Sequence, residues 1–426
     1  MTGRGEMNAL QQTVLRKAAW RLVPILTLAY VVNYLDRTNI GFAALTMNKD
    51  LALTATQFGA GAGILFIGYT VFEIPSNLAL YRVGARRWIA RIMITWGLVS
   101  AATAFVTGVN SYYLARFLLG VAEAGFFPGV AFYLAAWFPT QYRARMLAWF
   151  LLAIPVSSVV GGPISGLLLE MDGILGLRGW QWLFIAEGLP AVVLGFLVLR
   201  LLADRPETAS WLSQEERQAL TGMLAEERRD RPKTSLTSAL KDVRVIILAV
   251  VQFGFTLGSY GVGIFLPQII KSSGLSNLVV SFLAAIPYIF ASLAMIWWAW
   301  HVDRTGKKIG NLTIACALAT IGLAASVLTT NLVLGLTALT IALVGITSAR
   351  AVFWTIPTRF LTGVGAAGGL AFINSIGTIG GFAGPSLMGW LRDLTGSFQM
   401  GLLAMAAVLF ATTLLAISLK LVVRAE

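Results

Sequence analysis

The chain has 426 residues, of which 57% are hydrophobic and 12% are charged, and its formal net charge is +13. Soluble domains carry about 25% charged residues, so this composition excludes an ordinary soluble protein and predicts an integral membrane protein. The apolar stretches are long and mostly lack alternation, which favours membrane-spanning helices over a transmembrane β-barrel.

Twelve apolar segments follow one another along the chain, each of roughly the 20 residues that a bilayer requires. Their predicted first residues are Trp20, Gln57, Trp88, Ser111, Met146, Gln181, Val243, Ser276, Gly310, Asn331, Gly363 and Phe398. We therefore predict an all-α polytopic membrane protein. Its predicted parts are a cytoplasmic N-terminal segment (1–19), a six-helix half (20–202), a cytoplasmic linker (203–242), a second six-helix half (243–422) and a cytoplasmic tail (423–426).

Basic residues collect in alternate loops. The basic loops contain Arg16, Lys17, Arg21, Arg82, Arg86, Arg87, Arg91, Arg143 and Arg145, whereas the intervening loops contain Lys49, Arg178, Lys271 and Arg392. This positive-inside pattern places both termini in the cytoplasm of a bacterial-type inner membrane. Because the positive charge follows the topology, we predict no nucleic-acid partner.

Asp36 and Arg37 are adjacent near the end of the first apolar segment. Each charge at the bilayer centre costs about 2.5–3.5 kcal/mol on insertion scales, and such residues usually mark an ion or substrate path. Neighbouring helical residues do not face each other, so each charge needs its own partner. A guanidinium matches a carboxylate with paired donors, which makes Arg37 a candidate substrate-binding residue. The alternative is that Arg37 only pairs with Glu73 or another acid.

Arg116 and Glu123 lie seven residues apart in the fourth span, and therefore share a helix face at a rise of about 10.5 Å. Asp36 belongs to the same half and is the expected counter-ion of Arg116. Burial favours a protonated carboxyl group and a nearby arginine opposes this, so the three residues form a candidate proton-coupling group. The alternative is a static salt-bridge network that holds the half together.

The two halves repeat at an offset of 222 positions (304 − 82 = 222), which aligns RVGAR (82–86) with RTGKK (304–308) and GP (162–163) with GP (384–385). Each half has an even number of spans, so we predict a pseudo-two-fold axis along the membrane normal, with the binding site between the halves. The candidate gating residues in the repeated loops are Arg82, Gly84, Arg86, Asp303, Arg304 and Gly306. The alternative is that these residues are fixed positive-inside anchors.

The linker contains a local helix signal. Ser213 followed by Glu216 is a capping-box pattern, which predicts a short surface helix.

Arg350 lies in the tenth span, one turn before Trp354, and no acid lies in that span. It is a second candidate anion site, unless its long side chain only reaches the membrane interface. Two arginines in one cavity would favour a dicarboxylate or hydroxy-diacid, and Trp354 could stack on an aromatic substrate or form a wall. Other polar groups within spans could bind a polyhydroxy acid or merely bridge helices. They are Tyr34, Tyr69, Gln252, Tyr260 and Asn374.

Several motifs resemble those of the major facilitator superfamily. The loop HVDRTGKK (301–308) is similar to the superfamily's loop signature, although its first-half copy YRVGARR (81–87) lacks the Asp before the Arg. More specific segments resemble the anion:cation symporter branch, namely NYLDRTN (33–39), FEIPSN (72–77), GVAEAGFFPG (120–129) and DRP (204–206).

The resemblance implies a proton-coupled importer of carboxylates, a group that includes tartrate, sugar acids, phthalate and nicotinate. In galactonate-type relatives, the residues that correspond to Asp36 and Glu123 take up protons. The resemblance also places some of the polar span residues at cavity positions of sugar-acid transporters. These residues are Tyr34, Tyr69, Gln252 and Asn374.

We therefore predict a secondary active transporter that works by alternating access, as a monomer, with a proton gradient and no cofactor. The sequence has no metal-ligand cluster, no phosphate-binding Gly-Lys-Ser/Thr loop and no nucleophile–base group that would indicate an enzyme. An organic anion exchanger, an efflux transporter and a non-transporting membrane sensor remain as alternatives. The absence of Lys and Arg from the seventh span (245–270) counts against an exchanger of the organophosphate type.

Overall fold

The computed structural model describes residues 9–229, 241–357, 361 and 363–422, and every regular element within these ranges is helical. The N-terminal half contains α1 (Ala9–Asp50), α2 (Ala55–Val83), α3 (Ala85–Ala102), α4 (Val109–Glu123), α5 (Phe126–Trp137), α6 (Thr140–Leu151), α7 (Ala153–Leu169) and α8 (Gly179–Leu201). After the linker helix α9 (Gln214–Arg229), the C-terminal half contains α10 (Val243–Lys271), α11 (Asn277–Thr305), α12 (Lys308–Val327), α13 (Leu332–Phe353), α14 (Gly363–Thr395) and α15 (Gln399–Val422).

Eleven helical segments in the described part of the chain are long and apolar enough to cross a membrane. Two of these segments join a pair of helices each, because Val109–Trp137 combines α4 with α5 and Gln141–Leu169 combines α6 with α7. The 33-residue helix α14 is the twelfth long helix. The all-helical, twelve-span architecture with two six-span halves is therefore confirmed. Within the predicted parts, residues 1–8, 230–240, 358–360, 362 and 423–426 lie outside the described residues.

The fourth span is broken in its middle, between α4 and α5. Gly125 has a φ of +85°, a left-handed conformation that is open to glycine at little cost. The carbonyl of Ala124 has no N–H partner four residues on, because that residue is Pro128, and it accepts a hydrogen bond of 2.6 Å from Ser76 Oγ on α2. Irregular backbone at membrane depth needs such a partner. The break also makes Glu123 the last residue of α4.

Among the described residues, the most extensive contacts between the two halves are made by three helix pairs, in which α1 packs on α10, α2 on α14 and α7 on α11. Glycines allow these helices to approach backbone to backbone. Gly41 lies against the carbonyl of Ile264, and Gly162 lies against the carbonyl of Ser281. Small residues are the usual means of close helix packing in membranes.

One end of the bundle is closed by a contact between the halves. The carboxylate of Asp393, near the end of α14, accepts hydrogen bonds from the backbone N–H groups of Ala55 (3.0 Å) and Thr56 (2.7 Å) at the start of α2. The first N–H groups of a helix lack partners within that helix. Asp393 therefore caps a helix of the opposite half.

The linker helix α9 begins as its sequence predicts. Ser213 N–H donates to Glu216 Oε2 (2.8 Å) and Glu216 N–H donates to Ser213 Oγ (3.1 Å), which is a complete capping box. Lys17 Nζ also lies 2.8 Å from Glu216 Oε2. The hydrogen bonds from Lys17 and from the Ser213 backbone lower the pKa of Glu216, and they attach the linker to α1.

Candidate functional site

A cavity lies between the two halves, where α1 and α7 face α10, α11 and α13. Its lining residues are Tyr34, Arg37, Thr38, Ile154, Pro155, Ser158, Ser259, Tyr260, Gly263, Ile264, Tyr288, Ala291, Ser292, Leu343, Thr347 and Arg350. Most are apolar or carry a hydroxyl group, and the two charged members are the arginines. Arg37 comes from the first half and Arg350 from the second, so positive charge faces the cavity from both sides.

Arg37 is held by an acid and by two aromatic rings. Its Nε lies 2.7 Å from Glu123 Oε2, and Glu123 is completely buried. The guanidinium carbon lies 5.0 Å from the ring centre of Tyr69 and 5.7 Å from that of Tyr34. These distances permit cation–π attraction. Arg37 thus pairs with an acid, and that acid is Glu123 and not Glu73.

Asp36 points away from the cavity into the first half. Its Oδ1 accepts a hydrogen bond of 2.6 Å from Ser100 Oγ on α3 and one of 3.4 Å from Asn39 Nδ2, one turn along α1. Its Oδ2 is buried and has no hydrogen-bond partner among the described residues. The two adjacent charges of the first span therefore have different surroundings, as helical geometry requires.

Arg116 does not form the expected hydrogen-bonded pair with Asp36. Its side chain is 1% exposed, and its Nε and Nη1 have no hydrogen-bond partner in the described part of the chain. Asp36 Oδ1 accepts hydrogen bonds from Ser100 and Asn39, and Glu123 is bonded to Arg37. The three candidate proton-coupling residues are all buried in the first half, but the ion pair described among its buried charges joins Arg37 to Glu123.

Glu187 on α8 is a buried acid that our sequence reasoning missed. It is 4% exposed, and its Oε1 accepts a hydrogen bond of 2.8 Å from Ser165 Oγ on α7. Its Oε2 has no hydrogen-bond partner within the described ranges. The signal was available in the sequence, because a lone acid inside an apolar span is as costly as Asp36.

Arg350 lines the cavity, where a second anion site was expected. Its Nη2 lies 3.1 Å from Ser259 Oγ, and none of the described ion pairs involves this residue. Trp354 lies just after α13, where its ring meets Phe353 edge to face at 5.3 Å. Trp354 is not among the cavity-lining residues, so the geometry gives it no contact with a substrate there.

The polar span residues divide into two groups. Tyr34 and Tyr260 line the cavity, whereas Tyr69 reaches it only through the Arg37 guanidinium. Asn374 Nδ2 lies 3.4 Å from Glu73 Oε1 and so links α14 to α2 across the halves. Gln252 is buried against Gly377 between α10 and α14, away from the cavity.

The cavity also contains hydroxyl residues that the sequence analysis did not select. They are Thr38, Ser158, Ser259, Tyr288, Ser292 and Thr347. Tyr288 and Ser292 are four residues apart, and Thr347 and Arg350 are three apart, so each pair shares one helix face. This spacing was the available signal, but hydroxyl groups are common in membrane helices.

The candidate gating residues lie in two loops of different construction. In the first loop Gly84 has a φ of +99°, and the backbone N–H of Arg86 donates to Asp204 Oδ1 (2.8 Å). Asp204 of the DRP motif thus caps the start of α3 and brings a carboxylate to the loop copy that lacks one. Arg82 is exposed at the end of α2.

In the second loop the guanidinium carbon of Arg304 lies 4.0 Å from the ring centre of Trp300, and Gly306 ends α11 with a φ of +69°. The side chain of Asp303 lies outside the described residues. Within the described ranges, no three His, Cys, Asp or Glu side chains are grouped so that they could hold a metal ion.

Comparisons with known proteins agree with this architecture. The family model described as Major Facilitator Superfamily matches residues 26–385. An Agrobacterium vitis protein named "Putative tartrate transporter" is 53% identical over 368 residues, which cover 86% of this chain and 82% of that protein. An Acinetobacter baumannii protein named "Quinolone resistance transporter" is 42% identical over 367 residues, 85% of either chain.

Among solved structures, the chain is similar in fold to a bacterial homologue of the human lysosomal transporter Spinster in an inward-facing and occupied conformation. The TM-score is 0.77 at 15% identity, with 99% of this chain and 98% of that chain covered. At this identity the likeness concerns the fold alone.

Proposed function

The chain belongs to the Major Facilitator Superfamily and is a multi-pass membrane transporter, and from this premise we propose that it imports a small organic dianion of the tartrate type together with protons. The proposal places the protein in a bacterial inner membrane with both termini in the cytoplasm, as the positive-inside pattern predicts. It rests chiefly on one observation, which is that Arg37 and Arg350 face one cavity from opposite halves.

The two arginines suit a substrate with a carboxylate at each end. A guanidinium remains charged when buried and offers a planar pair of donors to a carboxylate. The hydroxyl groups of Tyr34, Tyr260 and Ser259 lie between or beside the arginines and suit the hydroxyl groups of a hydroxy-diacid. The name of the relative from Agrobacterium vitis, which is 53% identical, supports the same substrate class.

The Arg37–Glu123 pair suggests how proton uptake and substrate binding are coupled. The carboxylate of Glu123 and a substrate carboxylate compete for the same guanidinium. Protonation removes the negative charge of Glu123 and weakens its hold on Arg37, since hydrogen bonds between charged partners are roughly twice as strong as neutral ones. A proton on Glu123 therefore prepares Arg37 for the substrate, and Asp36 is the second proton-binding carboxyl group.

The position of the cavity fits alternating access. The lining residues come from both halves, so a rocking motion of one half against the other changes which side of the membrane reaches them. In the proposed cycle, protons bind to Asp36 and Glu123 from outside and the dianion then binds between Arg37 and Arg350. The halves rock inward, and substrate and protons leave to the cytoplasm.

Efflux is the second candidate function, because one relative is named a quinolone resistance transporter. Quinolones also carry a carboxylate, so an arginine-lined cavity alone does not separate efflux from import. The two functions differ in the substrate and in its direction of movement relative to protons. Import predicts movement of tartrate with protons down the proton gradient, whereas proton-driven efflux predicts movement of a quinolone against protons.

The test is proton flux in proteoliposomes that contain a trapped pH dye. The panel consists of tartrate, galactonate, glucarate, phthalate, nicotinate and a quinolone, with protein-free liposomes and the Asp36→Asn variant as controls. We expect tartrate to acidify the lumen, and we expect Asp36→Asn to abolish the signal. Entry of labelled tartrate without proton movement would contradict symport and favour exchange or facilitated diffusion. Alkalinisation by the quinolone alone would favour efflux.

A further inference from the structure

We propose that Glu187 is a third proton-binding carboxyl group of the first half and passes protons to Asp36. The proposal rests on the proposed function, since it needs a proton-coupled transporter. It is carried by the geometry of a polar cluster that lies beside the substrate cavity and not in it. The cluster consists of Glu187 on α8, Ser165 on α7, Asn39 and Asp36 on α1 and Ser100 on α3.

Glu187 has one hydrogen-bond partner and one free oxygen. Ser165 Oγ lies 2.8 Å from Oε1, while Oε2 is buried without a hydrogen-bond partner among the described residues. Glu187 takes part in none of the ion pairs that the structure describes. An unpaired carboxylate in this position is costly, whereas the protonated acid is neutral. A single serine therefore leaves this acid free to bind and release a proton.

The charges near Glu187 are few and lie on one side. The helices packed against α8 are α1, α3 and α7. From α1, Asp36 lies within electrostatic range of Glu187 and also of Arg116 on α4. From α3 and α7 the nearby polar groups are the hydroxyls of Ser100 and Ser165. Arg37 on α1 faces Glu123 and the cavity instead.

Asn39 joins the two acids. Its Nδ2 lies 3.4 Å from Asp36 Oδ1, and its carboxamide lies close to Glu187 without a hydrogen bond to that acid among the described residues. A donor placed between two carboxyl groups stabilises whichever one carries the negative charge. Two negative charges that share one donor repel each other, so the cluster favours one charge at a time. A proton that leaves Glu187 for Asp36 leaves a carboxylate on Glu187, which takes the next proton from outside water.

Glu187 lies nearer than Asp36 to the end of the bundle that carries Asp50. The indole Nε1 of Trp180 donates to Asp50 Oδ2 (2.9 Å), so α8 and α1 are level at that end. Glu187 follows Trp180 by 7 residues, whereas Asp36 precedes Asp50 by 14. At a rise of 1.5 Å per residue, Glu187 is about 10 Å nearer to that end along the helix axes. The positive-inside pattern assigns this end to the outside, from which protons arrive.

The contact between halves lies next to the cluster. Ser165 precedes Gly166, and Gly166 packs against Ser281 of α11 in the opposite half. Rocking that separates α7 from α11 would bring outside water to Ser165 and then to Glu187. In the present arrangement Glu187 and Ser165 are both buried. Access of protons to Glu187 would therefore depend on the conformational state, as symport requires.

The test compares Glu187→Gln and Glu187→Asp with wild type in proteoliposomes. Two readouts are measured, namely tartrate uptake driven by an inward proton gradient and tartrate counterflow at equal pH on both sides. Counterflow needs substrate binding and rocking but no net proton transfer. The matched control is Glu170→Gln, which removes an exposed acid at the same end of the bundle. Thermal melting shows whether each variant is folded.

We expect Glu187→Gln to lower proton-driven uptake roughly a hundredfold, at the low end of the range for positioned proton-transfer groups, and to leave counterflow nearly unchanged. The pH dependence of uptake should flatten in Glu187→Gln. Glu187→Asp should restore part of the uptake and part of its pH dependence. Equal loss of uptake and counterflow in Glu187→Gln and Glu187→Asp would overturn the proposal in favour of a packing role. The proposal would also be overturned if Glu187→Gln showed the same proton coupling and the same pH profile of uptake as the wild type. Absence of proton flux in the wild type would instead refute the proposed function.

Discussion

At the residue scale, the proposed mechanism depends on competition between Glu123 and the substrate for Arg37. The guanidinium is paired with Glu123 at 2.7 Å and still lines the cavity. The sequence marked both residues as costly charges inside spans, but it did not reveal that they pair. Arg37 and Glu123 lie 86 positions apart, and only the packing of α1 against the broken fourth span brings them together. Asp36 and Arg116, expected from the sequence to be counter-ions, lie within electrostatic range of each other but share no hydrogen bond in the described part of the chain.

This competition predicts how Glu123→Gln changes substrate binding. The variant keeps the shape of the side chain but cannot carry a negative charge, so Arg37 stays available to the substrate at every pH. In the wild type, tartrate affinity should rise as the pH falls, by up to about tenfold per pH unit where one proton is taken up with the substrate. In Glu123→Gln we expect a tight, pH-independent affinity. Titration calorimetry at pH 6 and pH 8 measures both, and a persistent pH dependence in the variant would contradict the mechanism.

The second arginine predicts selectivity for two carboxylates. Arg350→Gln removes the charge that faces the cavity from α13 and leaves Arg37 in place. Hydrogen bonds to charged groups contribute about 1.5–3 kcal/mol, so tartrate affinity should fall roughly 10- to 100-fold. A monocarboxylate such as glycerate should lose much less, because Arg37 suffices for it. Competition of both acids against labelled tartrate provides the comparison, and equal losses would refute a two-arginine site.

At the element scale, the geometry of the site depends on the interrupted fourth span. Local signals were readable from the sequence, because the capping box of α9 involves residues three positions apart. The break at Gly125 was not predicted, since a glycine in an apolar run is also compatible with a continuous helix. The break is recognised only through a different helix, since Ser76 on α2 donates a hydrogen bond to the carbonyl of Ala124, which has no partner in its own helix.

Gly125→Ala tests the importance of the break. A Cβ at this position would meet Ser76 Oγ at 2.5 Å, and the φ of +85° is unfavourable for alanine. We expect Gly125→Ala to lower the free energy of unfolding by more than the strain of the left-handed conformation, which costs about 1 kcal/mol. We also expect weaker proton coupling, because Glu123 is displaced. The matched control is Gly274→Ala, where φ is +82° and nothing lies within 4 Å of the added carbon.

Thermal melting of the two variants separates crowding from backbone strain. Both substitutions force alanine into the left-handed conformation, but only the added Cβ of Gly125→Ala also contacts a neighbouring side chain. A lower melting temperature for Gly125→Ala than for Gly274→Ala is therefore expected. Similar melting temperatures and undisturbed proton coupling would show that the broken span tolerates a side chain, and that Ser76 can move away without affecting Glu123.

At the scale of the whole molecule, the halves are joined by contacts that the internal repeat did not predict. The repeat identifies related loops within each half, whereas Asp393 caps a helix of the other half. The apolar segments predicted twelve spans, because each span satisfies a local requirement of length and hydropathy, and the polar linker and the internal repeat divided them into two halves. In the proposed transport cycle, the pairing between the halves changes as they rock, and a single sequence then encodes more than one such arrangement.

Asp393→Asn should shift the molecule towards the arrangement in which this end is open. The carboxylate accepts from two backbone N–H groups, whereas the amide has one acceptor oxygen and lacks the charge. A loss of about 1 kcal/mol, the net value of an ordinary hydrogen bond, would raise the open population about fivefold. Spin labels at Lys49→Cys and Leu394→Cys, two exposed positions at this end, report the separation of the halves after Cys316→Ala removes the native thiol.

The control is Asp172→Asn, since Asp172 lies at the same end but pairs with Arg178 within its own half (3.9 Å). A longer distance in Asp393→Asn alone would identify this cap as a closing contact, and identical distance distributions in both variants would show that close helix packing holds the end shut without it.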